Sequence, residues 1–599
     1  LHDALPILWN EDGTWNRALI KLDDRNPMLS NSYNFKREYA TRSFNTVYAS
    51  FDIWKGIKFA STFSYDFVMN KSRAWKDPRT SDGDDDNGRF SKDYNDITNM
   101  TWSNILTYQT KIKKKHNLDL LVGYEINSKE SDGLGTTISN FARWDKPEVN
   151  NGVVYQSMGG SNSTTRIVSY ITRANYDYDN KYYLGASWRT DGSSRLAREN
   201  RWGNFWSLSG AWRVSSESFM KPLQNWLSDL KLRVSYGVNG TLPSSYYGYM
   251  GLSSLTSNYN DNPGITQSQL ENKELTWETN YNFNSGIDLG FFDNRLNVTF
   301  EYYVRTTKNL LYSRPLSLAT GFSSYLANIG KLQNKGYELE IRSTNIETKD
   351  FRWSTSLNLG HNANKILKLD GDLKQVTSGT SIHKVGLPYS TYYMIEFAGI
   401  DPVDGEPMFY KNTTDENGNL NKETTKDPRS AEKVILQCAD PTITGGLGNS
   451  ISYKWFDLNF NVNFSFGAWN YDGAAGKLEH GGDGTLNIPI YYRKRWQKEG
   501  DETSIERFVV GRSISMTDYA TTRRLYSGDY VRLKNLTFGF TLPKTWTRKV
   551  GIDNIRLYAS GNNLLTWAAY DYIDPESGSS PSWDTPPMRT YTFGLEVKF

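Results

Sequence analysis

Apolar residues recur at every second position along most of this chain. In FDLNFNVNFSF, Phe456, Leu458, Phe460, Val462, Phe464 and Phe466 are separated mostly by Asp or Asn. The same period runs through Leu118, Leu120, Val122, Tyr124 and Ile126, and through Leu296, Val298, Phe300, Tyr302 and Val304. It closes the chain in YTFGLEVKF, where Tyr591, Phe593, Leu595, Val597 and Phe599 alternate with polar residues or glycine. A period of two marks strands with two unlike faces, whereas helical spacing of three and four is hardly found. The chain is therefore predicted to be all-β, with about 17 strands of mostly 9–13 residues, the first near Ser43–Ile53.

The connections between these strands alternate in length. Trp54–Gly56, Lys111–His116, Asp179–Asn180, Gly290–Asn294, Asn345–Asp350 and Tyr453–Trp455 are short, and Ser215–Ser228 and Pro543–Asn554 are modest. Between them lie long polar segments, at 68–99, 128–165, 190–204, 238–276, 306–334, 361–441, 467–529 and 562–590. Greek-key sandwiches have no reason to alternate in this way. An outer-membrane barrel does, because its periplasmic turns are short and its external loops long. The predicted fold is an antiparallel transmembrane β-barrel whose terminal strand ends at the periplasmic rim. Its odd residues face lipid, and Asn459, Asn461 and Asn463 face a hydrated lumen.

Composition narrows the alternatives. No apolar run is long enough for a transmembrane helix, and the mean hydropathy is −0.64. A barrel tolerates that value, since only alternate residues meet lipid. The 39 Tyr, 27 Phe and 19 Trp suit a membrane–water interface, where the ring is buried and the polar edge stays wet. With 69 basic and 66 acidic residues, nucleic acid is not an expected partner. The single Cys438 excludes an intramolecular disulfide and is read as a buried side chain. LHDALPILWN is no signal peptide.

Longer stretches resemble a known family. YITRANYDYDNKYYLGASWRTDGSSR, RWGNFWSLSGAWRVSSESFM, NKELTWETNYNFNSGIDLGFF, NIGKLQNKGYELEI, VGLPYSTYYMIEFAGIDPVDGEPMFY, GDYVRLKNLTFGFTLP, NIRLYASGNNLLTW and YDYIDPE are similar to the barrel of SusC/RagA-type TonB-dependent outer-membrane transporters. The resemblance spans about residues 40–599 and implies 22 strands in the intact barrel, of which the first here would be the sixth. Residues 1–42 are then expected to be a truncated N-terminal segment, an outer loop or a remnant of a preceding strand, and residues 43–599 the C-terminal part of the barrel. A plug domain and an N-terminal extension are not expected within this chain, and LHDALPI fits none of the family's pattern. The implied function is energy-coupled import of a nutrient, oligosaccharide or glycan first and peptide second. The implied partners are a surface lipoprotein of the SusD type, TonB–ExbB–ExbD acting through the plug, and outer-membrane lipid. Two other readings stand beside it, a passive porin-like barrel and a soluble or surface glycan-binding β-protein.

No catalytic constellation is found, so the chain is not read as an enzyme. His2, His116, His361, His383 and His480 lack metal-ligand spacing. One loop, SDGDDDNGRFSKD, places Asp82, Asp84 and Asp86 at alternate positions with Asp93 twelfth from Asp82, which is a candidate calcium pattern. Asn87 stands where the calcium loop needs glycine, and the competing reading is an acidic solvated tip. Trp469, Tyr471, Trp567, Tyr570 and Tyr572 lie at outer strand ends and are the candidate substrate contacts, with an interfacial aromatic girdle as the competing reading.

Overall fold

A computed structural model of the chain describes residues 9–10, 12–16, 26–260, 262–369, 371, 373–479, 481–482, 488–510, 519–570, 572–577 and 587–599. The segment LHDALPI and the residues His2 and His480 lie outside them.

Among the described residues, seventeen strands form one antiparallel sheet. In chain order they are β1 (Phe35–Trp54), β2 (Ile57–Lys76), β3 (Arg89–Ile112), β4 (His116–Phe141), β5 (Gly152–Tyr178) and β6 (Tyr182–Ser193). Then follow β7 (Trp202–Arg213), β8 (Leu227–Thr241), β9 (Glu278–Phe291), β10 (Leu296–Lys308), β11 (Lys331–Glu347) and β12 (Phe351–Lys368). The last five are β13 (Ile443–Tyr453), β14 (Phe456–Phe466), β15 (Tyr530–Thr541), β16 (Asn554–Ala568) and β17 (Thr590–Lys598). Each strand pairs with its sequence neighbours, from β1 with β2 to β16 with β17. Among the described residues β1 pairs only with β2 and β17 only with β16.

Register explains why the alternation reads so cleanly. Directly opposed residues share a face of a sheet. Phe456, Leu458 and Phe460 oppose Phe540, Phe538 and Leu536, which continue to Leu557, Ala559 and Gly561 and then to Leu595, Phe593 and Tyr591. That row is the apolar outer wall. The other parity sets Asn459 and Asn461 opposite Ser450 and Gly448, and these inner positions form a polar recess. The tight rim turns use left-handed backbone. Asp179 and Asn180 both have positive φ (55° and 54°), the two-residue turn that matches strand twist.

The strands are longer than predicted. β3, β4 and β5 contain 24, 26 and 27 residues, where roughly 9–11 suffice to cross a bilayer. Their outer halves, such as SDGLGTTISN and YQSMGGSNST, extend past that length and are rich in polar residues and glycine, so no sustained hydrophobic period marks them. In consequence β1 begins at Phe35 rather than near Ser43. The outer connections 77–88, 142–151 and 194–201 are also no longer than the inner connection 214–226. The asymmetry between the two rims therefore lies in strand overhang as much as in loop length.

Buried apolar residues gather at the ends of the barrel and not at its centre, since the lumen is polar. Leu196, Phe205, Val238, Leu275 and Trp277 form an outer cluster, and Trp75, Phe90, Ile138 and Phe141 a second. Val214, Met220 and Leu227 seal the opposite rim under the connection 214–226.

Candidate functional site

The outer mouth above β14 and β15 brings the predicted aromatics together with others. The short strand Trp469–Tyr471 pairs with Leu525–Ser527 and prolongs the β14–β15 pair outward. Beyond β16 the chain turns back over this hairpin. Tyr570 stacks on Tyr526 with ring centroids 3.6 Å apart and donates from Oη to Asp472 Oδ2 at 3.2 Å. Tyr572 lies 5.3 Å from the Tyr570 ring and 5.2 Å from that of Tyr491, and it is 68% exposed. The result is a tyrosine patch with one face open to solvent.

A buried ion network supports the patch. Tyr491 Oη donates to Glu479 Oε1 at 2.5 Å, and Tyr492 Oη to Glu506 Oε1 at 2.9 Å. Arg523 bonds Glu506 and lies 3.5 Å from Glu479, while Arg524 Nε reaches Glu479 at 3.3 Å. Glu506 is fully buried. Burial alone would lower the Arg523 pKa, and Glu506 and Glu479 outweigh it and hold the guanidinium charged. Burial, reinforced by nearby carboxylates, pushes the hydroxyls of Tyr491, Tyr492 and Tyr570 well above the ordinary phenol range, so they stay protonated donors. Such a site offers ring faces for stacking and neutral hydroxyls for hydrogen bonds, and no nucleophile.

Two braces fix the mouth to its surroundings. Arg532, on β15, is buried and holds Asp574 at 2.6 Å and Glu576 at 2.8 Å, with Nε donating to Thr566 Oγ1 at 3.0 Å. The segment YDYIDPE supplies both carboxylates. On the other side, Phe397 N–H donates to Thr522 Oγ1 at 3.0 Å, and Trp496 Nε1 donates to the Pro402 carbonyl at 3.0 Å.

Of the five predicted aromatics, Tyr570 and Tyr572 share the patch. Trp469 and Tyr471 belong to the hairpin beside it. Trp567 stands apart, paired with Val531 on the apolar outer face and 59% exposed, which is girdle geometry. Sequence reasoning missed Tyr491, Tyr492, Tyr526 and the Glu479–Glu506–Arg523–Arg524 network. The doublets Tyr491–Tyr492 and Arg523–Arg524 inside neutral loop sequence were the available signal.

Three of the four aspartates of the calcium pattern have separate surroundings. Asp82 accepts from Ser30 Oγ at 3.2 Å and Asn34 Nδ2 at 3.1 Å, Asp86 pairs with Arg89, and Asp93 lies within β3 opposite Gly135. Among the described residues no three His, Cys, Asp or Glu side chains gather as metal ligands. Cys438 is half-buried, its Sγ accepts the Asp440 N–H at 3.4 Å, and burial raises its pKa, so the thiolate is disfavoured.

Below the mouth the inner wall is hydrophilic. Arg233 bridges Asp288 (3.2 Å) and Glu301, and Arg556 clamps Asp457 through two bonds of 3.1 and 2.7 Å. A recess of about 740 Å³ lies between Asn117, Asp119, Asn175, Asp177, Arg233 and Asn284.

An antiparallel meander with an apolar outer wall, a polar inner one and extended outer strands is the wall of an outer-membrane barrel. The chain belongs to the family described as TonB dependent receptor-like, beta-barrel, which matches residues 4–564, and within it to the SusC/RagA type. It is 32% identical over 633 residues to the TonB-dependent receptor P3 of Formosa agariphila, covering 99% of this chain and 61% of that protein. With the TonB-dependent receptor SusC of Bacteroides thetaiotaomicron it shares 30% identity over 461 residues, or 72% of this chain and 44% of that one. The structure of the RagAB peptide transporter superposes with a TM-score of 0.87 at 26% identity, covering 98% of this chain and 66% of the other. The chain thus spans about three fifths of the length of the receptor P3 it matches.

Proposed function

We propose that the protein serves TonB-dependent import of a nutrient across the outer membrane, and that this chain forms the barrel wall and the outer capture surface. Family membership supports the transport class. The observation that carries the substrate reading is the tyrosine patch of Tyr491, Tyr526, Tyr570 and Tyr572 at the outer mouth. Apolar faces of sugar rings stack on such aromatics, and the protonated hydroxyls complement sugar hydroxyls. An oligosaccharide or glycan is therefore the proposed cargo. In this scheme a surface lipoprotein of the SusD type covers the mouth. TonB–ExbB–ExbD supplies the pull through a plug seated against the polar inner wall.

Peptide is the second reading, favoured by the 0.87 superposition on a peptide transporter. The two separate in one experiment. Cells producing the whole protein are given labelled oligosaccharides and labelled peptides, and the Tyr491→Ala/Tyr572→Ala variant is compared with the parent. Removing an aromatic ring from a stack costs about 0.5–1.5 kcal/mol. The glycan reading expects oligosaccharide uptake at limiting concentration to fall roughly fivefold or more. Loss of peptide uptake alone would transfer the site to peptide, and unchanged uptake of both would remove it from substrate capture.

A further inference from the structure

The rim formed by the short connections has a charge unlike the rest of the chain. The eight connections at 55–56, 113–115, 179–181, 214–226, 292–295, 348–350, 454–455 and 542–553 hold twelve Lys and Arg against five Asp and Glu. Their surplus of seven positive charges exceeds the net charge of +3 for the whole chain, so the remainder is net negative. Each of the eight connections contributes at least one basic residue, so the charge is spread along the whole rim.

Most of these cations are not neutralised by the protein. Lys115, Lys181 and Lys544 pair with Asp179, Glu217 and Asp553. Lys55, Lys113, Lys114, Lys349, Lys454 and Lys549 are exposed, and among the described residues no carboxylate is within ion-pair distance of them. Directly beside them lies a belt of aromatic residues. Across β4 to β7, Tyr178, Tyr182 and Trp212 stack in sequence with His116 tilted against Tyr178, ring centroids 5.0–6.3 Å apart. Trp226 stacks on Phe291 and Phe351 packs against Tyr453, while Trp54 is 76% exposed.

An aromatic belt marks the depth of lipid headgroups. A basic ring just beyond it sits where headgroup phosphates lie, and juxtamembrane Lys and Arg attract anionic lipid. We infer that the short-turn rim is a binding surface for anionic phospholipid headgroups of the periplasmic leaflet. Continuity of the ring with the lipid-facing wall selects a membrane lipid over a soluble polyanion. This inference rests on the orientation of the barrel and not on its cargo.

The test uses the purified chain in detergent micelles, incubated with equimolar phosphatidylglycerol and phosphatidylcholine, with retained lipid counted by mass spectrometry. Lysines near a charged surface each contribute roughly fivefold in anionic-lipid affinity, so the parent should retain phosphatidylglycerol in clear excess. Lys113→Gln/Lys114→Gln/Lys454→Gln/Lys549→Gln should bring the ratio near parity, and the corresponding four Lys→Arg changes should preserve the excess. Four outer-side changes, Lys146→Gln/Lys273→Gln/Lys374→Gln/Lys498→Gln, should leave the ratio unchanged. Circular dichroism confirms that every variant keeps its strands. Parity in the parent, an unchanged ratio in the rim Gln variant, or an equal fall in the outer-side variant overturns the inference. In the first case the surplus charge would be assigned to a soluble periplasmic polyanion instead.

Discussion

Replacing Arg532 with Met should release the segment 569–577 from the barrel mouth while leaving the wall intact. Arg532 is 2% exposed and bonds two carboxylates at 2.6 and 2.8 Å. Charge-assisted hydrogen bonds contribute about 1.5–3 kcal/mol each. Glu576 retains Lys534 at 2.8 Å, so its loss is partial, whereas Asp574 loses its cation outright. The local cost is then about 3 kcal/mol, or roughly a hundredfold in the opening equilibrium. Three amides report it: Ala569 N–H to the Asp529 carbonyl, Glu576 N–H to Asp574 Oδ1, and Ser577 N–H to the Asp574 carbonyl. Hydrogen exchange at these positions should accelerate by about that factor, with β14, β15 and β16 unaffected. Unchanged exchange there, or equal acceleration throughout β15, would show that Arg532 does not act as a local latch.

Further outcomes follow from other parts of the structure. His383 is buried between Tyr312 (3.2 Å to Nδ1) and the Tyr389 ring at 4.2 Å, in a cavity also lined by Lys331 and Lys368. Burial depresses its pKa, so the unfolded state takes up the proton first, and stability present above about pH 6.5 should decline as pH falls through the lowered value; thermal melts should show this, and His383→Gln should flatten it. Leu275→Ala, at a fully buried position of the outer cluster, should destabilise the loops around Trp277 by about 2–5 kcal/mol, read as earlier proteolysis of segment 242–277. Adding calcium should not shift the melting curve if Asp82 and Asp86 keep their protein partners, and a saturable shift lost in Asp84→Asn would restore the metal reading.

What could be read in the sequence depended on where each residue sits relative to lipid. β14 and β17 were legible residue by residue, because one face meets hydrocarbon and the other water. The outer halves of β2 to β5 were not, because the polar stretches of β2 and β3 and the glycine-containing ones of β4 and β5 carry no sustained apolar period of two. Strand number and orientation came through nonetheless, since the connections at one rim are tight turns with recognisable Asp-Asn and Lys-Gly chemistry. At the mouth, Tyr570 and Tyr572 could be found from their position after a strand. Tyr491, Tyr526 and Arg523 were missed, because segments far apart in the chain converge there, and the doublets Tyr491–Tyr492 and Arg523–Arg524 mark these residues without showing that they meet. The overhang of β3 to β5 also explains why 77–88 and 142–151 were overestimated as loops.

The central claim is that alternate residues of these strands face lipid and a hydrated lumen, and β14 tests it most directly because both of its edges are paired. In a Cys438→Ser background, single nitroxide labels are placed in turn from Leu458 to Asn463 in the membrane-inserted protein. Collision with oxygen, which concentrates in lipid, and with a water-soluble nickel chelate is then measured. Labels at 458, 460 and 462 should favour oxygen and those at 459, 461 and 463 the chelate, in strict alternation. Uniform accessibility along the strand, or the opposite phase, would contradict the barrel wall described here.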